Sequence, residues 1–207
     1  MQRIILAILT VSLCGLVPTA GQSQVQQASK NAAPTADAYT ALVAEYQAAQ
    51  NEYRQALKQA ESPEARQQAL VSAPQALAYA NRFLKVAKSQ PDSPQALSAL
   101  VWIATNVRHG KPLAAAAQLL TSRYIEEEGL TAITGGSARF MPSAERRVLF
   151  QQVLDNSPHK RVKQTVCLTL AQLIGTEARM APRIKQDSER YVSIYGEKLV
   201  ARLKTAD

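Results

Sequence analysis

At 207 residues, with 46% hydrophobic but only 5% aromatic content, the chain can bury a core yet is poor in the side chains that favour sheets. Glycine numbers just 8 while alanine, leucine and glutamine recur throughout, which favours helix and argues against a sandwich or barrel. The formal charge of +8 draws anionic surfaces in general and specifies no fold; we expect no specific nucleic-acid partner.

Residues 1–3 are a short cationic lead, residues 4–17 are almost wholly apolar, and Pro18-Thr19-Ala20-Gly21 offers small residues for cleavage. This is the layout of a secretory signal peptide over residues 1–21. The apolar run falls short of the roughly 20 residues that a spanning helix needs, so no stable membrane anchor is expected once it is removed. The predicted product is exported, to the periplasm or outside the cell. Lipid attachment at Cys14 would want a small residue before it, and Leu13 is large. With Cys14 gone, Cys167 stands alone, without a CxxC pair or an internal disulfide.

Residues 22–35 are polar and read as a disordered linker; residues 36–207 read as a helical domain. Tyr39, Tyr46 and Tyr53 recur every seventh residue with Leu42, Val43, Ala49, Ala56 and Leu57 between them, predicting one long helix with a packing seam. The pairs Ser62-Pro63, Ser93-Pro94 and Ser157-Pro158 each precede a helical pattern, with serine expected to cap and proline to occupy the first helical position. Further amphipathic helices are expected over residues 74–88, which include Leu77 and Phe83, and over residues 112–124. Glu126, Glu127 and Glu128 lack the spacing of a calcium site and read as a solvated helix end. Thr134-Gly135-Gly136-Ser137 lacks the lysine of a phosphate loop and reads as a connection. Helices then follow over residues 143–154, 158–174 and 183–195, the last closed by Gly196.

Residues 82–106, RFLKVAKSQPDSPQALSALVWIATN, form a helix, a turn and a helix, and a similar pattern returns with Pro158 in the place of Pro91. Aligning Ser157-Pro158 with Ser93-Pro94 gives a slightly shorter offset than aligning the two turn prolines, so the repeat is degenerate. Both offsets approach twice the length of roughly 34 residues typical of helix-hairpin repeats. The expected fold is all-α, an irregular stack of antiparallel helix hairpins, loosely tetratricopeptide-like. Residues 82–106, with VLDNSPHKRVKQTVCLTLAQLI and ERYVSIYGE later in the chain, resemble the exported helical region that precedes a thioredoxin-like (redoxin) domain in planctomycete-type bacterial proteins. The resemblance implies packing rather than chemistry. The redox cysteines of that family lie in the domain that follows, and the sequence to Asp207 carries none of it.

No catalytic, cofactor or metal set is expected. His109 and His159 lack ligands at metal spacing, Trp102 reads as core, and Cys167, between Val166 and Leu168, reads as a buried inert thiol. The one local conflict is His159, Lys160, Arg161 and Lys163, where cations occupy a helix start that favours anions. These four residues are the candidate surface for an acidic partner. The expected function is a non-enzymatic protein-interaction module, the alternative being an accessory of a redoxin system that acts with a separate catalytic partner.

Overall fold

The computed structural model describes residues 35–136 and 141–205, with side chains from Ala38 onward. The signal peptide, the reading of Cys14, the linker up to Pro34, and Ser137 lie outside the described residues. Nine α-helices and one 3₁₀ segment follow, with no strand among the described residues: α1 Thr35–Gln59, α2 Pro63–Val71, α3 Ala76–Ser89, α4 Pro94–Asn106, α5 Lys111–Arg123, the 3₁₀ segment Glu128–Thr134, α6 Ala144–Asn156, α7 Lys160–Gln186, α8 Ser188–Tyr195 and α9 Glu197–Thr205. The fold is all-α.

Neighbours in sequence pack as neighbours in space, α3 on α4, α4 on α5, α5 on α6 and α6 on α7. The first helices of three successive hairpins begin at Ala76, Lys111 and Ala144, and their return segments at Pro94, Glu128 and Lys160. The interval is nearly constant, so the offset between Pro91 and Pro158 spans two hairpins with a third between them. In that middle hairpin the return helix has shrunk to the 3₁₀ segment, where Gly129 lies so near Leu97 that a Cβ would stand 3.1 Å from its Cδ2. Successive turns also touch: the Tyr124 hydroxyl donates to the Pro91 carbonyl, and His159 Nε2 lies 2.6 Å from the Glu126 carbonyl oxygen.

Capping follows the sequence at two of the three Ser-Pro pairs. Ser62 Oγ accepts from the Ala65 amide at 3.0 Å and Ser93 Oγ from the Ala96 amide at 3.2 Å, satisfying amides that have no partner inside the helix. Ser157 differs. It ends α6 instead, its amide donating to the Val153 carbonyl at 3.0 Å, and α7 begins only after His159. Ser143 caps the start of α6.

The main core runs from Leu42 to Leu173. Trp102 lies at its centre, stacked on Phe83 with ring centroids 4.0 Å apart and met edge-on by Tyr46 at 5.0 Å. The first two tyrosines of the α1 seam, Tyr39 and Tyr46, therefore pack against the core as their spacing implies, and Tyr39 meets Phe83 edge-on at 5.9 Å. Phe150 is fully buried on α6. A second, small core joins Ile184 of α7 to Leu199, Val200 and Leu203 of α9.

Four further expectations fail. Cys167 is exposed: Val162, Val166, Leu170 and Leu173 turn inward, and a residue one step beyond Val166 lies about 100° round the helix, on the outer side. Leu77, expected on the apolar face of its helix, is likewise half exposed, at 50%, because it lies off the buried stripe. The helix expected over residues 158–174 continues to Gln186 straight through the exposed Pro182, and a break at Asp187 separates it from α8. The residues 126–128 do not end a helix but occupy the exposed connection into the 3₁₀ segment.

Candidate functional site

The four residues of the predicted surface separate into two kinds. His159 is half-buried and held by the chain itself, with Nε2 on the Glu126 carbonyl and Nδ1 3.4 Å from a Glu128 carboxylate oxygen. Lys163 Nζ reaches back to the Asp155 carbonyl at 3.5 Å. Lys160 and Arg161 are exposed. The glutamate triplet thus lies beside the start of α7, with the Glu128 carboxylate near the His159 ring, so acidic charge faces this helix start from within the molecule.

A second basic cluster, not evident in the sequence, lies at the other end of α7. Glu177 is 2% exposed, and its two oxygens meet arginines from two other helices. Arg147 of α6 donates from Nη1 to Oε2 at 2.7 Å, while Arg202 of α9 places Nη2 2.6 Å from Oε1, in ion-pair range but without hydrogen-bond geometry. A buried carboxylate is retained only when paired, and this one ties α6, α7 and α9 together. Above it opens a cleft of about 470 Å³ with Ile174, Ala178 and Pro182 on one wall and Arg147, Lys185 and Arg202 at its rim.

Charge is distributed very unevenly along the chain. Residues 160–205 hold ten Lys and Arg against four Asp and Glu, whereas residues 35–159 hold twelve against eleven. One of the four acids, Glu177, is buried and paired with Arg202, so setting that pair aside leaves the basic surplus of α7, α8 and α9 unchanged. The signal is spread over three helices, and no local motif conveys it.

The remaining reactive side chains are committed or solitary. His109 packs against Gly196, where φ is +82° and a Cβ would lie 3.2 Å from the imidazole Cγ. Trp102 is core. Cys167 is unpaired and exposed. Among the described residues no three His, Cys, Asp or Glu side chains gather into a metal site, and no helix is long and apolar enough to cross a membrane. No protein-family model, curated protein or solved structure matches the chain.

Proposed function

We propose that this chain is an exported, non-enzymatic interaction module, a tetratricopeptide-like stack of helix hairpins that engages an acidic protein partner. The observation that carries the reading is the concentration of basic surplus on α7 to α9 beside a nearly balanced remainder. Such a surface accelerates and orients association with an acidic partner, and its effect weakens as salt rises. The nearly constant interval between hairpins supports the comparison with tetratricopeptide stacks, whose role is to present extended faces. The use of His159, His109 and Glu177 in internal packing and pairing favours binding over catalysis.

Retention of the full chain on immobilised poly-L-glutamate and poly-L-lysine tests the charge claim. Salt-sensitive retention on glutamate alone is expected, and equal retention on both resins removes it. Turnover of a dithiol or peroxide by the purified chain would end the non-enzymatic reading.

The exposure of Cys167 favours one further reading, an accessory of a redoxin system whose separate thioredoxin-like partner reaches that thiol. Trapping of a mixed disulfide at Cys167 with such a partner, absent in Cys167→Ser, is the outcome that would support it.

A further inference from the structure

Helix α7 is apolar on two faces. One is the buried stripe already described; the other runs along its outer side through Cys167, Ala171, Ile174 and Ala178, every one of them exposed. Their spacing of four, three and four residues places them in one row along the helix, the geometry along which a second helix packs. The seam passes directly into the wall of the cleft over Glu177, since Ile174 and Ala178 belong to both. Small side chains at 171 and 178 permit close approach, and cations flank the seam at each end, Lys160 and Arg161 at one and Arg179, Arg183 and Lys185 at the other.

Resting on the acidic-partner reading above, we infer that the outer face of α7 docks an acidic amphipathic helix of that partner, its apolar side along the seam and its carboxylates toward the flanking arginines and lysines. The charge of the face selects this occupant. A second copy of the chain would bring two surfaces with the same basic surplus together, and like charges in register oppose pairing. A bilayer would need larger apolar side chains than Leu168 and Ile174, the two large exposed hydrophobics on this helix, and could not enter a cleft recessed between α6, α7 and α9. A helix with protruding leucines can enter it.

The test uses the full chain with a synthetic helical peptide carrying leucine at its seam positions and glutamate elsewhere, a twin with lysine for glutamate, and disordered poly-L-glutamate. We expect salt-sensitive binding of the glutamate helix, none of the lysine twin, and a loss of about tenfold or more in Ile174→Asp, in line with removal of a central apolar contact. Leu168→Asp, more exposed and off the seam, serves as the folding and charge control and retains most of the affinity. If poly-L-glutamate binds as tightly as the helix and Ile174→Asp has no effect, the docking seam is wrong while the acidic-partner reading survives. If no acidic chain binds, both fall. Sedimentation with phosphatidylglycerol vesicles without peptide binding would make a membrane the occupant. A doubling of mass in light scattering that Ile174→Asp abolishes would make it a second copy.

Discussion

Arg146 closes the end of α4 by donating from Nε and Nη2 to the carbonyl oxygen of Ala104, at 3.2 and 2.9 Å. Nη2 also reaches the Val107 carbonyl at 2.8 Å, and Nη1 the Met141 carbonyl. The side chain is fully buried, with helix-end carbonyls in place of a carboxylate. A cation there satisfies acceptors that α4 leaves without intrahelical partners and complements the negative end of its dipole. Burial pushes the guanidinium down to about 10, which keeps it charged at neutral pH.

Arg146→Ala is therefore expected to cost roughly 3 to 5 kcal/mol in urea unfolding, since each buried acceptor left unpaired costs about 1 to 3 kcal/mol and a cavity remains. Arg146→Lys should recover only part of this, because an ammonium cannot reproduce the fork that spans three carbonyls. A lysine variant as stable as the parent would show that charge alone, and not the donor geometry, holds α4 to α6.

Trp102→Ala and Phe150→Ala should each destabilise by about 3 to 5 kcal/mol, the usual cost of emptying a buried aromatic site. Leu168→Ala, on the exposed side of α7, should stay within about 0.5 kcal/mol of the parent. Unchanged unfolding midpoints for both aromatic variants would contradict the packing of α4 on α3 and of α6 into the main core.

Which parts of the molecule are legible in the sequence depends on whether the signal is periodic or relational. The seven-residue interval of Tyr39 and Tyr46 defines both a helix and its buried side, because one helix face repeats at that spacing. Ser62 and Ser93 announce their helices through local hydrogen bonding that reaches only three residues along the chain. Ser157 has the same following proline yet terminates α6, its amide donating to the Val153 carbonyl, so the serine-proline pair alone does not distinguish a helix start from a helix end. Cys167 reads as buried from its apolar neighbours in sequence, yet on a helix those neighbours point in different directions. The pairing of Glu177 with Arg147 and Arg202 joins three different helices, and no spacing rule links them.

That same pairing sets the stability of the last two helices. The core beneath α8 and α9 is small, and few buried apolar contacts imply local opening below the global unfolding free energy. Arg202→Ala should lower the opening free energy of α9, by less than the roughly 3 to 5 kcal/mol of a fully unpaired buried charge, because Arg147 still pairs with the Glu177 carboxylate. Hydrogen exchange should accelerate across α9 and leave the amides of α4 unchanged; equal acceleration in both would mean that the chain opens as one unit.

On the surface of the stack, Arg82 meets both oxygens of Glu45, at 2.6 and 2.7 Å. The hydrogen bond from Arg82 is the main reason the Glu45 carboxyl titrates below its ordinary range. Because the folded-state value is lowered, any stability from the pair is present above the ordinary carboxylate range and is lost as pH falls through the lowered value. An NMR titration should show the Glu45 midpoint rising in Arg82→Gln. No movement would remove Arg82 as the cause.

The two ends of α7 provide the last prediction. Lys160, Arg161 and Lys163 stand at the start of the helix, where cations oppose its dipole, and the glutamate triplet lies beside them. Arg183 and Lys185 stand in its last turn, where cations are favoured, with Arg179 one turn earlier. Replacing the first three with glutamine should leave stability unchanged or raised by a few tenths of a kcal/mol up to about 1, whereas replacing Arg179, Arg183 and Lys185 should lower it by a similar amount. Binding should follow a different order. The first cluster lies beside three consecutive glutamates, Glu126 to Glu128, and the second borders the seam, so the second set of substitutions should release more of the chain from poly-L-glutamate at low salt. Moderate salt should narrow the gap between the two variants, since exposed charges are screened over about 10 Å at such ionic strength. Retention equal to the parent in both variants would show that α7 has no part in recognising acidic chains, whatever the stability measurements gave.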